Sequence, residues 1–134
     1  MRRTMLTISL VLTFLGCIST ASVEELRGRE WMLTWVEGFA AMPAGVQTPT
    51  IRFGTDGRLS GNTGCNSAGA AYRAEGDRLT IDALISTKRA CVAAEGNALE
   101  SAYVRAVEAT KRFRITSGEL ELLSESGSVL ARFR

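Results

Sequence analysis

The sequence predicts an α+β domain in which antiparallel hairpins succeed one another and a single amphipathic helix lies against them. Three observations carry this expectation. Short segments alternate apolar and polar residues with a period of two, glycine-bearing turns recur between them, and one segment abandons the alternation for helical spacing.

The first residues stand apart from the fold. Arg2 and Arg3 precede Met5 to Leu15, which is apolar apart from Thr7, Ser9 and Thr13. That is the pattern of an export signal and falls short of the ~20 residues a membrane span needs. The block ends in Phe14-Leu15-Gly16-Cys17, similar to a bacterial lipobox in which cleavage leaves the cysteine to be acylated, although Phe14 stands where Leu is usual. Lipidation at Cys17 is preferred over plain secretion with cleavage after Ser19-Thr20-Ala21. Residues 1–16 are thus expected to be a signal peptide, 17–28 a tether and 29–134 one small domain.

Within that domain Glu30 to Val36 reads as a strand with Trp31, Leu33 and Trp35 on one face. Ala40 to Pro49 is a loop holding both prolines, either a tolerated insertion or a stiffened binding loop. Thr50 to Phe53 and Arg58 to Ser60 flank the turn Gly54-Thr55-Asp56-Gly57. Gly61-Asn62-Thr63-Gly64-Cys65-Asn66 follows as a structural loop. In it Gly61 and Gly64 are free to take positive φ, and Asn62 and Asn66 tolerate it. Ala70 to Ala74 and Arg78 to Ile81 form a hairpin about Glu75-Gly76-Asp77. Leu99, Ala102, Tyr103, Ala106 and Val107 share one helical face, placing a helix from about Gly96 to Ala109. Arg112 to Thr116, Glu119 to Leu123 and Ser128 to Phe133 complete the meander.

Charge and composition exclude several functions. The chain has 16 Lys and Arg against 14 Asp and Glu, and Arg2 with Arg3 account for the excess. The remainder is balanced with its signs interspersed, without the basic face a nucleic acid requires. Histidine is absent, which excludes His-based triads, Cys-His dyads and His-ligated metals. Lys88 and Lys111 are the only lysines; Lys88 lies near Ser86 but beside Arg89, as on a solvated edge. Glu24-Glu25 falls in the tether, Glu75 and Asp77 bracket a turn, and Glu119 and Glu121 alternate outward. No catalytic, cofactor or metal residue is expected.

The run Gly61 to Asn66, Tyr72, Gly76-Asp77-Arg78-Leu79-Thr80-Ile81, Ser86-Thr87 and Ala90-Cys91 resembles the META domain family, which includes the HslJ-type bacterial envelope lipoproteins. The resemblance implies a strongly curved antiparallel sheet wrapped around a single helix. Two positions depart from it: Ser67-Ala68 stands where Arg-Phe is frequent, and Arg89 where an apolar residue, often Met, precedes Ala-Cys. Arg89 is expected to snorkel to water or pair with a carboxylate.

In an exported protein whose Cys17 carries lipid, Cys65 and Cys91 most simply form a disulfide. The alternative is two separate buried thiols. The expected function is that of a non-enzymatic envelope protein with a binding or stress-protection role, the stress association coming from the resemblance alone. It is expected on the periplasmic face as a monomer, held to the membrane by its lipid and meeting an envelope protein or small ligand. A secreted or anchored inhibitor of an extracytoplasmic hydrolase is the alternative.

Overall fold

The structure is a computed structural model and describes residues 22–134; the leader and Cys17 lie outside that range. In chain order the elements are α1 (Val23–Leu26), β1 (Glu30–Val36), β2 (Thr50–Phe53), β3 (Arg58–Asn62), β4 (Ser67–Glu75), β5 (Arg78–Ile81), β6 (Ile85–Ser86), α2 (Ala94–Glu108), β7 (Arg112–Thr116), β8 (Glu119–Leu123) and β9 (Val129–Phe133).

The nine strands form one antiparallel sheet ordered β3-β2-β1-β9-β8-β7-β5-β4-β6, and a further pairing of β3 with β4 closes it into a ring. Short β6 hangs on β4 beyond the end of β5, where Ile85 faces Gly69 and Ser86 faces Ala68. Closure between β5 and β7 is narrow. Only Arg78 and Arg112 are in register there, with backbone bonds from Leu79 N to Lys111 O at 3.0 Å and Phe113 N to Asp77 O at 2.9 Å. Like charges directly opposed are unfavourable. Each arginine here has a carboxylate, Asp77 for Arg112 at 2.7 Å and Glu125 for Arg78 at 3.0 Å.

Helix α2 fills the concavity of this ring. Leu99, Ala102, Tyr103, Ala106 and Val107 are all buried, the face that their spacing predicts. Tyr103 reaches furthest. Its hydroxyl donates to the Thr50 carbonyl at 2.8 Å, and its ring meets Phe133 edge-on with centroids 6.4 Å apart. Burial pushes the Tyr103 phenol well above its ordinary pKa, so it stays a donor. Gly61 permits this approach. A Cβ there would lie 2.8 Å from the Tyr103 hydroxyl and would also strike the Thr50 carbonyl. Gly61 therefore serves through the absence of a side chain. The expected positive φ is found in this loop only at Gly64 (+103°), and neither Asn62 nor Asn66 adopts it.

Other expectations need correction. The segment read as a tether is packed from Val23 onward: Leu26 is fully buried, and its carbonyl accepts from Trp31 Nε1 at 2.9 Å. Trp35 does not share the inner face of Trp31 and Leu33. The register of β1 against β9 shifts between Leu33 and Trp35, which turns Val36 inward and leaves Trp35 half-buried beneath the Arg132 guanidinium, 5.2 Å from its ring.

On the outer face of β7, β8 and β9, Arg114, Glu121 and Arg132 stand side by side. Glu121 accepts from Arg114 Nε at 2.7 Å and from Arg132 Nε at 3.1 Å. Partial burial pushes its carboxyl up, but the hydrogen bonds and charges of the two arginines outweigh that and hold it below the usual carboxylate range. A depressed folded pKa contributes stability that is present above the unfolded value, about 4.3, and lost as pH falls through the folded one. Thermal melts taken from neutral pH downward should therefore show a steeper acid fall for wild type than for Glu121→Gln. Parallel acid limbs would contradict the assignment.

Candidate functional site

The Gly61 to Asn66 motif, residues 87–91 and the start of α2 converge on one clamp. Cys65 and Cys91 are joined by a disulfide with Cα atoms 5.4 Å apart, closing 26 residues of chain. Beside it Asn66 is buried and all four of its amide hydrogen-bonding positions are used. Nδ2 donates to the Arg89 carbonyl at 3.0 Å and to Glu100 Oε1 at 2.8 Å, while Oδ1 accepts from the Thr87 hydroxyl and the Arg89 N–H, both at 2.8 Å. Thr63, fully buried, donates to the same Glu100 oxygen at 2.6 Å and accepts from Asn66 N at 3.1 Å. Asn62 closes the turn by accepting from Gly64 N at 2.7 Å.

Three members of the clamp carry no distinctive sequence signal. Thr63 reads as turn filler, and Glu100 falls on the polar side of the helical wheel, where a solvated role is the default. Gly96 is buried in the first turn of α2, where a Cβ would sit 2.7 Å from Cys91 Cβ and 3.2 Å from Cys65 Sγ. The spacing of Gly96 five residues after a cysteine is the one available hint. Ala93, at the N-cap position just before the helix, makes no side-chain cap, so the disulfide and Asn97, which accepts from Cys91 N at 3.4 Å, fix this end instead. Gly96→Ala should lower stability by about 1–3 kcal/mol despite alanine's better helix propensity, because overpacking outweighs propensity. Urea unfolding of the variant checks this, and a gain in stability would show that the clamp yields.

Among the described residues Arg89 pairs with no carboxylate. It is exposed, and its guanidinium reaches the Cys65 carbonyl at 3.4 Å. The other ionisable candidates stay dispersed. Asp77 is engaged by Arg112, Glu119 and Glu121 belong to the outer arginine ladder, and Lys88 is exposed. Among the described residues no three of His, Cys, Asp and Glu gather where a metal ion could be held.

Next to the clamp, β6 and residues 87–90 form one wall of an open groove and α2 the other. Its volume is about 560 Å³, with Ser86, Lys88, Arg89, Glu100, Val104 and Arg105 along it. The 40–49 loop lies on the other side of the disulfide. Met42 and Val46, with neighbouring Phe39, pack on the core, and Val46 and Gln47 abut Gly64.

Two solved structures share this architecture. One, a protein determined by NMR, superposes with a TM-score of 0.66 at 21% identity over 84% of this chain and 94% of its own. Another NMR structure, of a protein from Burkholderia xenovorans, gives 0.64 at 24% identity over 83% and 84%. No curated protein matches the chain significantly. The family model of the META domain matches residues 24–134, taking in β1 to β9, α2, all of α1 but Val23 and the whole disulfide clamp, and the chain belongs to the META domain family.

Proposed function

We propose that this protein works in the bacterial cell envelope as a non-enzymatic binding protein, anchored by lipid at Cys17 and protective under stress. The observation that carries the reading is the Cys65–Cys91 bond beside an open groove. Disulfides persist in oxidising compartments and are rare in the cytosol. The lipobox-like Phe14-Leu15-Gly16-Cys17 ahead of the domain supports the same location. The inhibitor alternative has less support, because the 40–49 loop is tied down through Met42 and Val46 and does not project as a free arm.

Detergent phase partition tests the anchor. Wild type should enter the detergent phase and Cys17→Ser the aqueous phase, since two or three acyl chains hold a soluble domain firmly. An intact mass corresponding to an N-terminus at Ser22 would replace anchoring with plain secretion. A variant with Met42 to Val46 exchanged for a short Gly-Ser link should still rescue a deletion strain under heat stress; failure of rescue with the fold intact would favour the inhibitor.

A further inference from the structure

We propose that the groove between β6 and α2 binds an extended acidic peptide segment of a partner protein, which adds a strand to the open edge of β6. This rests on the binding role proposed above and names its site and ligand class.

The backbone of β6 supplies the first argument. Thr87 N donates to Ser67 O at 3.1 Å, and Ile85 and Ser86 lie opposite Gly69 and Ala68. In an antiparallel ladder the residue between two bonded positions turns its N–H and C=O the other way. Those of Ser86 therefore face away from β4, toward the groove, and have no partner among the described residues. Two residues earlier on the same side, Leu84 N–H is already capped by the Glu108 carboxylate of α2 at 2.8 Å. The edge thus binds a carboxylate at one outward position and leaves the next one open. Ile85 beside it is a large apolar side chain, 79% exposed.

Charge supplies the second argument. Lys88, Arg89 and Arg105 line the groove, and none is ion-paired among the described residues. Two carboxylates stand against these three cations: Glu100 in the lining, and Glu108 where it caps Leu84 N–H. The groove therefore presents a net positive charge, and its volume of about 560 Å³ falls in the range of ligand pockets. A peptide is favoured over an anionic lipid headgroup because Ser86 offers a donor and an acceptor together. A peptide backbone satisfies both at strand spacing, whereas a phosphate only accepts.

The test uses the purified full-length protein in neutral detergent and fluorescence anisotropy. The probe is a fluorescein-labelled peptide of alternating valine and glutamate, about eight residues long, with a valine-lysine peptide as control. The acidic peptide should bind at least about tenfold more tightly than the basic one, and the double variant Lys88→Glu/Arg105→Glu should invert that order. Ser86→Pro removes an N–H that the fold does not use, a change edge strands tolerate. It should weaken the acidic peptide about tenfold while leaving the melting temperature unchanged. Equal binding of both peptides, or undiminished binding by a folded Ser86→Pro variant, would overturn the proposal. So would binding to phosphatidylglycerol vesicles, relative to phosphatidylcholine, by a Cys17→Ser protein that ignores the peptide. Failure of the anchor appears separately in the phase partition, and cleavage of the probe, read by mass spectrometry, would overturn the non-enzymatic reading while leaving the groove assigned.

Discussion

Asn66→Ala should destabilise the protein by about 3 kcal/mol, a large fraction of the ~5–15 kcal/mol that holds a domain together. One amide here joins three chain segments. Truncating it removes two bonds from Arg89, one from Thr87 and one from Glu100 together. Glu100 keeps Thr63, and the Arg89 backbone gains access to water, so the loss falls short of four full desolvation penalties. Asn66→Asp should do no better, since it puts a second carboxylate 2.8 Å from Glu100 where an N–H had been. Urea titration with an unchanged m-value is the measurement. A loss below about 1 kcal/mol for Asn66→Ala would mean that water takes the amide's place.

Replacing both cysteines with serine should lower stability by about 3–4 kcal/mol in the chain-entropy account for a loop of this length. Peptide mapping without reductant should first give a single linked species containing Cys65 and Cys91. The damage should be localised: hydrogen exchange ought to rise at residues 87–91 and in the first turn of α2, which has no side-chain cap of its own. Because Asn66 and the disulfide hold the same segment, their removals should couple when combined. Simple additivity, or free thiols at both positions in the purified protein, would refute a shared clamp.

The legibility of this fold in its sequence was uneven, and the reasons are physical. Strong period-two segments such as Phe113-Arg114-Ile115 and Leu120-Glu121-Leu122 announce strands because one face is buried and the other wet. The α2 face is equally plain. Strand β6 was not, because a two-residue strand beside the chain's broken charge pattern has no period to detect. Trp35 misled because a bulge, invisible in composition, reverses the alternation within β1. The clamp was half legible. Its cysteines and asparagine belong to a recognisable motif, but Glu100 and Gly96 act through contacts between segments distant in sequence. Nothing local distinguishes a helix glutamate that receives two buried donors from one that faces water.

Strand β1, the first strand of the described residues, pairs with β9, the last of them: Leu33 lies opposite Phe133, and the Met32 and Arg134 backbones exchange hydrogen bonds at 2.6 and 2.8 Å. A chain synthesised from its N-terminal side cannot complete this partnership until residues 129–134 have followed. Until then β1 has a free side with Trp31 and Leu33 awaiting cover. Cys65 and Cys91, by contrast, are both available well before the terminal strand arrives. The covalent tie can therefore precede the cooperative collapse, leaving the β1–β9 pairing as the late event. Loss of even the final β-strand would strand the nascent chain in its open, adhesive form.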